Sequence, residues 1–80
     1  MSNGYSSRFA KIVNSADTSK IGVQLGNLCI DHDIPAMDVA DHFGVTRATI
    51  YNWFKGVTNV PPAYQEEVAK AVKALLDKQR

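Results

Sequence analysis

The residues of this sequence best suited to chemistry lie in one short run, RATIYNWFK, at positions 47–55. At about 100° of rotation per helical residue, its large apolar side chains fall on one side: Ile50, Trp53 and Phe54. The opposite side carries small, amide and cationic side chains: Ala48, Asn52 and Lys55, with Arg47 and Tyr51 at its edge. A polar face of this kind fits the major groove of duplex DNA. We therefore predict that the apolar side is buried and that the polar side binds DNA.

The polar side chains match particular groups on DNA. Asn52 can pair in bidentate fashion with N6 and N7 of adenine, Arg47 with O6 and N7 of guanine, and the Ala48 methyl group can contact a thymine methyl. Other residues are predicted to contact phosphate and sugar, which position a helix without specifying sequence: Thr46, Tyr51, Lys55 and Thr58. The alternative for all these polar residues is ordinary solvated surface.

Two short helices are predicted around this run. The first covers residues 36–43 and ends at Gly44, whose missing Cβ allows the left-handed conformation of a helix C-terminus. The second covers residues 47–55, with Thr46 as its N-cap. Two short helices joined by a tight turn are typical of a helix-turn-helix. The sequence therefore predicts this motif over residues 36–55.

The remaining segments also have helical patterns. An earlier helix is expected to follow an N-cap at Thr18 or Ser19. The last helix is expected to begin at Pro61 or Pro62, with Glu66 and Glu67 in its first turn and Lys78 and Arg80 in its last turn. Residues 1–17 are predicted to form an N-terminal arm or a short helix, and residues 18–80 a helix-turn-helix domain. The predicted fold is all-α, a compact bundle of four to five helices.

Composition limits the class of protein. The chain has 80 residues, 45% of them hydrophobic, which suits one small globular domain. A single cysteine excludes an internal disulfide, and no apolar run or leader predicts a membrane segment, so we expect a soluble, cytoplasmic protein. The net charge is only +1, but residues 21–45 carry −4 and residues 46–60 carry +2. This polarity is consistent with one basic face.

Metal-binding residue types also occur in the sequence: Cys29, His32, Asp33, Asp38 and His42. A structural zinc site normally has four well-spaced Cys or His ligands, and here Cys29 falls on the apolar stripe of a helix. We therefore predict no metal, no cofactor and no small-molecule substrate. Nothing indicates a nucleophile with an oxyanion site, so we also predict that the protein is not an enzyme.

The segment from about Thr18 to Leu76 resembles the lambdoid phage repressor and Cro proteins, within the wider Xre-type helix-turn-helix family. The residues that carry the resemblance are Ala40, Gly44, Val45, Thr46, Ile50, Trp53, Lys55 and Gly56, together with the loop from Gly56 to Pro61. The resemblance implies a four- or five-helix bundle that binds operator DNA as a homodimer on a palindromic site. It also implies base contacts at the positions of Arg47, Ala48 and Asn52.

The sequence departs from that family at phosphate-contacting positions. Ala36 replaces a glutamine that holds a phosphate in many relatives, and the loop after residue 56 lacks the usual basic residues. Asp38 also lies near the expected path of the DNA backbone. Compensating contacts are expected from an N-terminal arm, with three candidate cations: Arg8, Lys11 and Lys20.

These observations predict a sequence-specific transcriptional regulator of the Cro or repressor type, in a prokaryotic or phage-infected cell. The helix over residues 47–55 would lie in the major groove. An alternative is a helix-turn-helix assembly module, such as a small terminase subunit for genome packaging or a protein-interaction adaptor.

Overall fold

The chain folds into five α-helices, seen in a computed structural model that describes residues 5–78. The helices are α1 (Ser7–Ser15), α2 (Ile21–Asp31), α3 (Ala36–Phe43), α4 (Arg47–Lys55) and α5 (Pro62–Lys78). Within the described residues there is no strand. The prediction of a compact all-α bundle of four to five helices is confirmed. Arg80, expected in the last turn of α5, lies outside the described residues.

Helix α1 packs against both α2 and α4. Its N-terminus is capped by Ser6, whose Oγ accepts a hydrogen bond from the Phe9 amide at 3.0 Å. Tyr5, Phe9 and Val13 follow one another at intervals of four residues and so lie along one stripe. Val13 is fully buried and Tyr5 is 7% exposed, while Phe9 packs against the edge of the core. Residues 5–15 therefore form a packed helix with its preceding turn.

Helix α2 packs against α1, α4 and α5 and supplies much of the core. The predicted N-cap of this helix is wrong, because Lys20 occupies that position and makes no capping hydrogen bond through its side chain. The reason lies in Asp17, whose carboxylate accepts hydrogen bonds from the Ser19 amide at 2.9 Å and the Ser19 hydroxyl at 2.7 Å. Asp17 thus forms an Asx-type turn that occupies Ser19 before the helix begins.

Helices α3 and α4 pack against each other through a connection of three residues. Gly44 has φ 70°, the left-handed conformation predicted for it. The Val45 amide then donates to the Ala40 carbonyl at 3.0 Å. Thr46 caps α4 as predicted, with its Oγ1 accepting from the Thr49 amide at 3.2 Å. These bonds fix the direction in which α4 leaves the turn.

Helix α5 begins at Pro62 and closes the bundle against α2. The prediction that Glu66 and Glu67 lie in its first turn is wrong. With Pro62 as the first helical residue, that turn contains residues 62–65 and no acidic side chain, so both glutamates fall in the second turn. Val68, Val72 and Leu75 face the core, whereas Leu76 remains 50% exposed.

Candidate nucleic-acid interface

Helix α4 has two sharply different faces. Ile50, Trp53 and Phe54 are 0%, 2% and 0% exposed, which confirms the predicted buried side. Arg47 and Ala48 are exposed, and three further polar residues are partly exposed: Tyr51, Asn52 and Lys55. The helix is therefore anchored by its aromatic end, and it presents the residues proposed to contact DNA on its other side.

The C-terminal end of α4 is closed by backbone hydrogen bonds. Gly56 adopts φ 75°, and the Asn52 carbonyl accepts from the Val57 amide at 3.0 Å and the Thr58 amide at 3.4 Å. The side-chain amide of Asn52 makes no hydrogen bond to any residue between 5 and 78. The backbone of Asn52 thus holds the loop in place, while its side-chain donor and acceptor remain available to a ligand.

The cations on α4 are also unpaired. In the part of the chain that the structure describes, one side-chain ion pair is present, between Lys70 and Glu66 on α5 at 3.6 Å. Arg47 and Lys55 have no carboxylate partner there. Because no internal ion pair has to be broken, both cations are available to an external anion such as a phosphate, or to neutral acceptors such as O6 and N7 of a guanine.

Lys20 immediately precedes α2 in the sequence, but its side chain reaches the C-terminal end of α4. Its Nζ donates a hydrogen bond to the Gly56 carbonyl at 2.9 Å. The carbonyl end of a helix carries partial negative charge, which favours a cation there. Lys20 also lines a surface cleft with Thr58 and Asn59. The structure therefore brings Lys20 together with Thr58, whereas Arg8 and Lys11 are exposed on α1.

Helix α1 and the two residues before it form one wall of a second cleft beside α4. Tyr5, Ser6 and Phe9 line it from one side, and Tyr51 and Lys55 line it from the other. The rings of Phe9 and Tyr51 meet edge to face, with centroids 5.0 Å apart and planes at 73°. Two of the predicted backbone-contacting residues, Tyr51 and Lys55, thus share a cleft with the N-terminal helix.

The candidate metal residues do not form a cluster. Among residues 5–78 there is no group of three or more His, Cys, Asp or Glu side chains placed to hold a metal ion. Cys29 is 1% exposed, and its burial raises the pKa of the thiol to about 12. A neutral, buried thiol is a packing residue rather than a nucleophile. No helix in the described part of the chain is both long and apolar enough to cross a membrane.

Two glycines of α2 whose role was not predicted from the sequence pack closely against α4. Gly22 packs so closely on α4 that an added Cβ would lie 2.7 Å from the Trp53 carbonyl oxygen, and Gly26 makes an equally close contact with α4 at the next turn of α2. Two glycines at this spacing inside a helix were a readable signal, because glycine destabilises a helix interior unless close packing requires it. The contact of Phe9 with Tyr51 could not be predicted from the sequence, where the only indication was the four-residue spacing of Tyr5, Phe9 and Val13.

No protein-family model matches the chain, and comparisons with curated proteins and with solved structures also found no match.

Proposed function

We propose that this protein is a sequence-specific duplex-DNA-binding regulator whose α3–α4 pair acts as a helix-turn-helix. The observation that carries the proposal is the two-faced character of α4. Its apolar side is buried, and its other side displays an exposed arginine, a small alanine and an unpartnered asparagine. A helix with this exposed face, held rigidly on a small domain, suits insertion into the major groove.

Three residues read bases in this proposal. Arg47 pairs with O6 and N7 of a guanine, and Asn52 pairs with N6 and N7 of an adenine. They lie five residues apart, so they address different base pairs. Ala48 packs its methyl group against a thymine methyl and leaves room for the helix to approach closely. The free hydrogen-bonding groups of Asn52 and the unpaired charge of Arg47 support these roles.

Backbone contacts come from both ends of α4. Thr46 and Lys55 flank the base-reading residues, Tyr51 lies between Ala48 and Asn52 at the edge of their face, and Thr58 follows in the loop after α4. Lys20 adds its charge beside Thr58 while its Nζ bonds to Gly56. Arg8 and Lys11 on α1 are further candidates for phosphate contact. Because few cations take part, few phosphates are neutralised, and the affinity should therefore fall only modestly as the salt concentration rises.

The proposed assembly is a homodimer on a palindromic operator. Two-fold related copies would place their α4 helices in successive major grooves, with half-site centres about 34–36 Å apart. Regulation would come from occupancy of the site, in the cytoplasm of a prokaryotic or phage-infected cell.

The test is selection of bound duplexes from a random pool, repeated at low and moderate salt. We expect a palindromic consensus whose half-sites contain a guanine and an adenine read by α4. Enrichment of no sequence at low salt would contradict the proposal.

A second candidate is an assembly module that associates with copies of itself. The observation that favours it is a groove of about 540 Å³ between α3 and α5, with an apolar floor that includes Leu25, Cys29 and Phe43. Its rim carries both charge signs, with Asp38 and Glu67 against Lys70 and Lys78. A rim with both charge signs allows a two-fold related copy to pair opposite charges across it.

This second candidate makes its own prediction. Ala74 lines the same groove and is exposed, so Ala74→Arg should block self-association without disturbing the core. Sedimentation velocity would show a ring or other oligomer for the unaltered protein and a monomer for the variant. An oligomer that survives Ala74→Arg would exclude this groove as the contact.

A further inference from the structure

We propose that α1 is a positioning element of the DNA interface, with Phe9 as the residue that orients Tyr51 for a phosphate contact. This inference rests on the proposed function, and it assigns α1 a role other than that of a flexible arm. Phe9 itself does not touch DNA in this proposal. It acts through Tyr51, which lies on the helix that reads bases.

The contact between the two rings is specific in geometry. The edge-to-face arrangement, at a centroid distance of 5.0 Å, is one that aromatic pairs favour. Tyr51 is only partly buried, and its hydroxyl makes no hydrogen bond within residues 5–78. The ring is therefore held from one side by Phe9, while its polar end remains available to a ligand.

Phe9 is held in turn by the core. Its ring stacks on Tyr5 at 5.7 Å, with planes 12° apart. Tyr5 is 7% exposed, and its hydroxyl donates to the Ile34 carbonyl at 2.8 Å. The Tyr5 ring also lies 6.3 Å from that of Phe54, a fully buried residue of α4. The aromatic series Tyr5, Phe9 and Tyr51 thus connects the core to the exposed edge of α4.

The ligand chemistry follows from what surrounds Tyr51. Tyr51 and Lys55 lie one turn apart on α4 and line the same cleft as Ser6 and Phe9. A phenol donor next to an unpaired ammonium group suits a phosphate oxygen. An aromatic side chain that is fixed before binding loses less conformational entropy when the complex forms. Phe9 therefore contributes to affinity by restricting Tyr51 in the free protein.

The variant Phe9→Leu tests this role. It removes the ring contact and keeps an apolar residue at a partly exposed position. We expect affinity for the selected duplex to fall about two- to tenfold, in line with the strength of an aromatic pair. Ile12→Leu is the matched control, because Ile12 lies on the same helix and is 44% exposed. Phe9→Met, which places an unbranched apolar side chain at the same position, replaces the leucine variant if that variant unfolds.

A double-mutant cycle separates positioning from general stability. Tyr51→Phe keeps the ring contact with Phe9 and removes only the hydroxyl that would meet the phosphate. If Phe9 acts through that hydroxyl, Phe9→Leu should reduce DNA affinity in the unaltered protein and have little further effect in the Tyr51→Phe background. Its effect on the free energy of unfolding should be the same in both backgrounds.

The outcomes distinguish this inference from the proposed function. Equal losses of affinity in both backgrounds, or no loss in either, would overturn the positioning role while leaving DNA binding intact. Failure of the unaltered protein to select any duplex would overturn the proposed function itself, and this inference with it.

Discussion

Gly26 in α2 lies directly against Phe54 in α4. A Cβ added to the glycine would be 2.7 Å from both Cβ and Cγ of the phenylalanine, closer than non-bonded carbon atoms can approach. Phe54 is fully buried, and the added atom would meet the root of its side chain, close to the backbone, so a rotation of the ring would not relieve the contact. The absence of a side chain at residue 26 therefore sets the distance between α2 and the helix proposed to read DNA.

Gly26→Ala should destabilise the protein. In an unconstrained helix interior the same change stabilises by about 0.5–1 kcal/mol, so the direction of the effect is diagnostic. Here the added methyl group overpacks the α2–α4 contact, and we expect a loss of about 1–3 kcal/mol in the free energy of unfolding. Urea denaturation measures it. An alanine variant as stable as the unaltered protein would show that the helices can move apart freely.

Lys20→Met should also destabilise the protein, through loss of the hydrogen bond from Nζ to the Gly56 carbonyl at 2.9 Å. Hydrogen bonds to charged groups contribute about 1.5–3 kcal/mol, and methionine keeps most of the apolar stem. Lys73→Met is the matched control, since Lys73 is exposed on α5. Equal melting temperatures for the two variants would mean that the bond contributes nothing to stability.

The buried thiol of Cys29 predicts a loss of stability at alkaline pH. Burial raises its pKa in the folded protein from 9.0 to about 12. The neutral form is therefore favoured by folding, and this contribution is complete below pH 9 and is lost as the pH rises towards 12. Cys29→Ala lowers stability at neutral pH by leaving a small cavity. Between pH 9 and 12, however, the free energy of unfolding of the variant should decline less steeply than that of the unaltered protein. Parallel pH profiles for the two proteins would contradict this assignment.

Much of the architecture was predictable from local signals. Gly44 and Thr46 fix the α3–α4 connection through their own conformational and capping preferences, and both behave as predicted. The start of α2 was mispredicted because Thr18 and Ser19 are good capping residues, but the turn that Asp17 forms with Ser19 leaves Lys20 at the N-cap position. The capping preferences of single residue types cannot predict the start of a helix when it depends on which of several competing hydrogen bonds forms.

The site was only partly predictable. The angular pattern of α4 correctly separated Trp53 and Phe54 from the polar face, since helical periodicity alone determines that division. It gave no information on the packing of Phe9 against Tyr51 or on the bond from Lys20 to Gly56. Both join residues more than 35 positions apart, and such contacts depend on how the helices pack.

The exposed face of α4 is proposed to read DNA bases, and DNA binding by the Asn52→Ala variant tests this most directly. Its affinity should be measured on the selected duplex and on duplexes changed at each position of the half-site, with Lys73→Ala as the control. Asn52 has no side-chain hydrogen bond to lose within the described structure, so the fold should be unaffected. We predict a loss of about 1–3 kcal/mol on the selected duplex and loss of discrimination at one adenine only. Unchanged affinity, or uniform weakening on every duplex, would contradict base reading by this face.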